Sequence, residues 1–260
     1  MEQLFRNAPI MAKNDVVRRG LWDLARAQRI LDMEGQNDMA WGHASMRDPW
    51  GRGVWLKRAN IGLEEVFEED FILIDFDGNV LGGDGVRHLE WPIHTEGLRA
   101  RPDFDFVVHT HAPWSTMFSA CTGEVLRPYT NDGVWFTVAP PHYMKTSDLI
   151  DTIELGREMA QVMGQSEGVF IRNHGLVIGG KTVKDMTLGA MFLERACRAQ
   201  LQLAASGIKH TYPDKEEIDK KRRTIYPQRA RDNCWDYLNR KLDRFEGRSG
   251  GRDAEGRGRG

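Results

Sequence analysis

This 260-residue chain has no long apolar run. No stretch approaches the roughly 18 apolar residues that a membrane helix needs, so no membrane partner is expected. The opening MEQLFRNAPIMAKNDVVRRG lacks the unbroken apolar region of a secretory signal. Cysteine is scarce: Cys121, Cys197 and Cys234 are odd in number and widely spaced. That excludes a disulfide framework and a CxxC metal knuckle, and points to the cytoplasm. Each thiol reads as a small apolar packing residue. An excess of charge of one sign is also missing, with 36 basic against 38 acidic side chains and a net charge of -2. Such a balance gives no electrostatic reason to expect nucleic acid or an anionic membrane. Internal repeats are absent.

What remains is an ordinary globular composition, 40% hydrophobic and 28% charged, enough to bury a core. One domain is expected over residues 1–246. The glycine- and arginine-rich GRSGGRDAEGRGRG, residues 247–260, should be a disordered tail.

Apolar residues Val17, Leu21, Leu24, Ala25 and Ile30 recur at helical spacing and predict a helix over 16–33. MAWGHASMRD and GVWLKRAN read as extended. FILIDFDGNVL predicts a hairpin turning at Asp77-Gly78. EWPIHTEGLRAR predicts a helix with Pro92 in its first turn. FDFVVHTH is a short buried strand, APWSTMFSA a helix and VWFTVAPP a further strand. Residues 147–163 predict a helix capped by Ser147. GVFIRNHGLVIGG predicts a strand pair broken at Asn173-His174-Gly175, with Gly175 bending the chain. Long helices are expected over 183–205 and 228–245. Strands and helices alternate without regular βαβ spacing, so the expected fold is α/β, a single αβα layered domain with a central, mainly antiparallel sheet.

The chemistry concentrates in VVHTHAP, RNHGLV and HLEWPIH. Side chains two residues apart on a strand point to one face, so His109 and His111 can offer two imidazoles to a single point. The same pair could also be core or surface histidines satisfied by hydrogen bonds. His174, presented at the break between two strands, would add a third nitrogen. Three protein ligands with positions left open are the pattern of a catalytic metal site. Glu90 precedes a proline-started helix, where a carboxylate could ligate, act as base or simply face the helix dipole. His94, one turn on, is placed on the same side.

Taken together, the segments GHAS, LIDFDGNVL, HLEWPIH followed by RARPDFDFVVHTHAP, FIRNHGLVIGGKTV and LERACRAQ resemble the class II aldolase/adducin family. They occur in family order over roughly residues 16–205. The resemblance implies an αβα fold, a C4-like homotetramer with sites between subunits, and metal-dependent lyase chemistry on a small molecule. It implies that His109, His111 and His174 bind one divalent cation per subunit, zinc foremost, with manganese, iron or cobalt as alternatives. Glu90 matches the family glutamate that ligates the metal or moves protons.

Where this chain departs from the family, a different substrate is indicated. Gly42-His43-Ala44-Ser45 stands where sugar-phosphate aldolases carry GN-x-S, and His88-Leu89 replaces a serine pair that grips phosphate. Trp41, His43, Trp55, Lys57, Arg58 and His88 suggest instead a pocket for a planar anionic acid, with Lys57, Arg58 and His88 binding it and His43 relaying a proton. Alternatively the tryptophans pack and Lys57 and Arg58 are solvated. The loop RPYTNDGVWFTVAPPHYMKT offers Tyr129, His142 and Tyr143, of which His142 and Tyr143 are candidate proton donors. The expected activity is a decarboxylase of a hydroxylated aromatic or ring-cleavage acid, through a metal-stabilised enolate. An aldolase on a non-phosphorylated hydroxy-keto acid, a non-haem iron oxygenase and a non-catalytic adducin-like scaffold are the competing classes.

Overall fold

The structure, a computed structural model, describes residues 15–248. Most of the expected tail, 249–260, and the N-terminal 14 residues lie outside that range. Helix α1 (Asp15–Met33) opens the described chain, and Val17, Leu21, Leu24, Ala25 and Ile30 are all buried, as their spacing predicts. Eight strands follow: β1 (His43–Arg47), β2 (Val54–Lys57), β3 (Phe71–Ile74), β4 (Val80–Gly82), β5 (Phe106–Thr110), β6 (His142–Tyr143), β7 (Gly168–Ile171) and β8 (Gly175–Gly180). They form one sheet in the order β4-β3-β2-β1-β5-β8-β7-β6, antiparallel throughout except where β6 joins β7. The other helices are α2 (Trp91–Ala100), α3 (Pro113–Ser119), α4 (Ile153–Met163), α5 (Val183–Ser206), α6 (Lys215–Ile225) and α7 (Gln228–Phe245).

Strand side chains alternate between two separate cores, as a period of two requires. Phe71, Leu73, Val108, Phe170, Leu176 and Ile178 pack against α1, α5 and α7. Their neighbours Ile72, Ile74, Val107, Val169, Ile171 and Val177 pack against α2 and α4. Apart from the exposed edge strand β4, the sheet is buried on both faces, giving the αβα layering. Each fully buried aliphatic side chain contributes roughly 1.5–3 kcal/mol, so both layers are firmly held.

Two expectations need correction, and one further helix carries no signal in the sequence. VWFTVAPP is not a strand: a 3-10 turn occupies Asp132–Trp135, and Arg222 donates to the carbonyls of Val134 and Phe136. Those carbonyls are satisfied by a side chain, and Pro140 and Pro141 have no N–H to offer a ladder. The helix expected from Ser147 begins only at Ile153, where Thr152 Oγ1 accepts the Leu155 N–H at 3.2 Å. The N–H of Ile150 instead goes to a site carboxylate. Helix α6 was not anticipated. It buries no residue and is held by its Asp214 cap and the Arg222 anchor, so no apolar period announces it. The β3–β4 hairpin forms as expected, with Gly78 at φ 84° and Asp75 accepting from the N–H groups of Asp77 and Asn79.

Candidate metal centre

The two-residue alternation puts His43, Ser45, Val107 and His109 on the α2 side of the sheet, since Ala44 and Val108 face the other core. His43 on β1 is registered directly opposite His109 on β5, which in turn pairs with Val177 on β8. Helix α2 lies over this face and delivers Glu90 and His94. Glu90 holds the N-cap position but makes no capping bond; its Oε1 accepts the Ile150 N–H at 2.9 Å. His174 sits in the turn joining β7 to β8. The left-handed residue there is Asn173, at φ 55°, not Gly175. Gly175 is already strand, paired with Ile171. It must lack a side chain because a Cβ would lie 2.6 Å from the Thr110 carbonyl and 2.8 Å from His111 Cδ2.

One ligating atom from each of Glu90, His109, His111 and His174 lies within 4.8 Å of the others. Glu90 Oε2 is 3.5 Å from His109 Nε2 and 3.8 Å from His43 Nε2; Oε1 is 3.8 Å from His174 Nε2. The hydrogen positions follow from the partners. His109 Nδ1 is 2.8 Å from the Leu176 carbonyl, which can only accept, so that nitrogen carries the hydrogen. His111 Nδ1 is 2.8 Å from Asp38 Oδ2 and carries its hydrogen for the same reason. Both Nε2 atoms therefore present lone pairs, and they stand 3.0 Å apart. Two facing lone pairs repel unless a cation lies between them. A carboxylate and imidazoles are also the donors that zinc and neighbouring divalent metals take. The four residues fit a divalent cation.

The surroundings favour the neutral, ligating form of His111 and His174. Burial and the neighbouring His109 hold His111 below the ordinary imidazole value, and the same causes bring His174 down to about 4. Burial would raise the carboxyl of Glu90, but His109 and His43 outweigh it and keep the group far below the usual carboxylate range.

The remaining sequence-based candidates separate. His43 and His88 are at the centre, with rings 4.3 Å apart. Burial and Lys57 lower His88 to about 3. By strand alternation Lys57 shares its face with Trp55, opposite to that of His43 and His109; its ammonium is taken by the carbonyls of Ile61 and Ala40 and is close enough to His88 to act on that ring. Arg58 is paired with Asp70 at 2.8 Å. Trp55 is core, its indole N–H donating to Asp48. His142 stacks on Phe170 and meets the Phe118 carbonyl, while the Tyr143 hydroxyl donates to Glu158. Within one chain these two are not in the metal group. Asp38 escaped the sequence reading: an acid in a polar turn carries no spacing signal.

Beside the centre lies a cavity of about 470 Å³, with Trp41, Val86, Leu89 and Leu149 on its wall and Glu90 and His111 within it. A second cavity, about 320 Å³, lies near Lys181, Arg222 and Arg231. Its cations are already engaged by Asp105, by backbone carbonyls and by Asp185.

Comparison with known proteins gives the family and the fold. The chain is 28% identical over 197 residues to the Meiotically up-regulated gene 14 protein of Schizosaccharomyces pombe, covering 73% of this chain and 76% of that one. It is 30% identical over 197 residues to a 3,4-dihydroxyphthalate decarboxylase of Arthrobacter keyseri, covering 71% and 78%. The L-fuculose 1-phosphate aldolase of Glaciozyma antarctica superposes with a TM-score of 0.76 at 22% identity, covering 91% and 95%, which shows a shared fold. Residues 22–201 match the model of the Class II Aldolase and Adducin N-terminal domain, and the chain belongs to that family.

Proposed function

We propose that this protein is a metal-dependent carbon–carbon lyase, a decarboxylase of a hydroxylated aromatic or ring-cleavage carboxylic acid. The observation that carries the reading is the pair of bare Nε2 atoms on His109 and His111, 3.0 Å apart beside Glu90 and His174. These four residues would hold one divalent cation per chain, zinc before manganese, iron or cobalt. When bound, the cation supplies electrophilic pull on a substrate oxygen, the effect that favours departure of carbon dioxide from a β-keto or hydroxy-aromatic acid.

The chain's own residues supply the rest. Trp41, Val86, Leu89 and Leu149 give the adjoining cavity an apolar wall suited to a flat ring, which they would bind and shield from water. His88 and Leu89 stand where a phosphate-gripping serine pair would be, favouring an unphosphorylated substrate. His88 Nε2 is buried without a partner, a polar atom free to meet a carboxylate or hydroxyl. Glu90 would ligate the cation or, released from it, move a proton at the reacting carbon, with His43 beside it to relay that proton. The named activity of the Arthrobacter keyseri relative supports the class of reaction.

A homotetramer fits the exposure of Met39, Trp41, Val86 and Leu89, each more than half accessible beside the centre. A sedimenting mass equal to one 29.7 kDa chain would contradict it. Cytoplasmic residence fits the three free thiols, and none of the described helices is long and apolar enough to cross a membrane.

The test is product identity. Metal-loaded protein is offered dihydroxylated aromatic acids and hydroxy-keto acids, with bicarbonate and aldehyde assayed in parallel. Bicarbonate release that His109→Ala abolishes is the expected result. Aldehyde release instead makes it an aldolase, and full activity in His109→Ala removes the metal from the reaction.

A further inference from the structure

Behind Glu90 runs a buried chain of polar groups that metal ligation leaves unexplained. His43 Nδ1 is 2.6 Å from His94 Nε2, and His94 Nδ1 is 2.7 Å from Ser45 Oγ. His43, His94 and Ser45 are at most 1% exposed, so water does not enter the account. The residues come from two elements. His43 and Ser45 share one face of β1, while His94 reaches down from α2, one turn after Glu90. The far nitrogen of His43, Nε2, faces Glu90 Oε2 at 3.8 Å.

Only one hydrogen fits between two nitrogens 2.6 Å apart, so the chain can be polarised in one of two directions. In the first, Ser45 donates to His94 Nδ1, His94 Nε2–H donates to His43 Nδ1, and His43 Nε2–H points at Glu90. In the second every donor is reversed, and a neutral His43 turns a lone pair toward an anionic carboxylate. An ionised carboxylate accepts and never donates, so the second direction sets two electron-rich atoms against each other in a dry site. We propose that His94, with Ser45 behind it, is a positioning residue: it locks His43 in the tautomer whose Nε2–H faces Glu90, and so fixes the orientation of that carboxylate.

Glu90 Oε1 is then held by the Ile150 N–H at 2.9 Å, while Oε2 faces the His43 N–H across 3.8 Å, an electrostatic contact longer than a hydrogen bond. One oxygen held by a fixed donor and the other facing a positive N–H edge favour a single orientation of the carboxylate toward the centre, the preorganisation a site acid or base requires. The inference rests on Glu90 being a site carboxylate, yet its test does not need the substrate.

The experiment is nitrogen-15 NMR of the imidazoles in the metal-loaded full chain, recorded on the parent, Ser45→Ala, His94→Gln and His94→Leu. The parent should show His43 with Nε2 protonated and Nδ1 bare. His94→Gln, whose side-chain N–H can still reach His43 Nδ1, should keep that pattern. His94→Leu should lose it, giving mixed tautomers, and should lower turnover on any accepted acid by on the order of 10–100-fold with metal content unchanged. If His94→Leu does not fold, the parent and His94→Gln spectra still decide. A doubly protonated His43, an Nδ1–H tautomer in the parent, or an Nε2–H tautomer that survives in His94→Leu overturns the proposal. Failure to find a substrate would overturn the lyase reading and leave these spectra untouched.

Discussion

Removing the Asp38 carboxylate should weaken metal binding without abolishing it. Asp38 Oδ2 accepts the Nδ1–H of His111 at 2.8 Å, and the two side chains are 29% and 15% exposed. A hydrogen bond to a charged partner contributes about 1.5–3 kcal/mol when well buried; partial exposure of Asp38 moves the expectation to the lower part of that range. The bond has one mechanical effect: it holds the ring so that Nε2 points at the centre. Without it the ring can rotate or exchange tautomers, and part of the population presents N–H where a lone pair is needed. Orienting partners of ligating histidines are typically worth 10–100-fold in affinity, about 1.4–2.7 kcal/mol, which brackets the structural figure. Competition from protons adds little near pH 7.5, because burial and His109 keep His111 below its ordinary value. Asp38→Ala should therefore lose about 10–100-fold in zinc affinity. Asp38→Asn, which retains an acceptor, should lose less. The assay is competition with a chromophoric chelator at pH 7.5. Affinity of Asp38→Ala within twofold of the parent would falsify the assigned role.

Two further outcomes follow from the geometry. Gly175→Ala places a methyl 2.6 Å from the Thr110 carbonyl, 2.8 Å from His111 Cδ2 and 3.3 Å from His109 Cε1; it should cost about 1–3 kcal/mol in urea unfolding and reduce metal occupancy together, and an unchanged value of either contradicts the packing described. Lys57 is fully buried and burial lowers its ammonium from 10.5 to about 8; the neutral form is favoured by folding, so its contribution to stability is present above about 10.5 and is lost as pH falls through 8. Unfolding free energy should rise by up to about 3 kcal/mol between pH 8 and 10.5 relative to Lys57→Met, and parallel pH profiles for the two proteins would refute it.

Periodicity made much of the fold readable. The buried face of α1, the β3–β4 hairpin, the strand pair around His174 and helices α5 and α7 all carry local patterns that burial then obeys. Reading failed where backbone partners came from afar. Residues 134–136 look like a strand until Arg222, 86 residues on, takes the Phe136 carbonyl. Residues 147–152 look helical until Glu90 takes the Ile150 N–H. Lys57 and Arg58 read as substrate ligands because a lysine and an arginine could hold a carboxylate. Strand alternation turns Lys57 to the opposite face, and Asp70 claims Arg58.

The sequence by itself determined the layered α/β architecture and the identity of the four groups that could meet at one cation. Its alternating and helical periods, and the spacing of His109 from His111, are local properties that any fold of this chain must respect. Tertiary structure alone decided which nitrogen of His109 and of His111 is bare, because that depends on Leu176 and Asp38 standing opposite Nδ1. It also decided that Glu90 faces the imidazoles instead of capping its helix, and that Ser45, His94 and His43 line up behind it. Hydrogen bonds are set by distance in space, and no short-range pattern in a sequence encodes a partner 60 residues away.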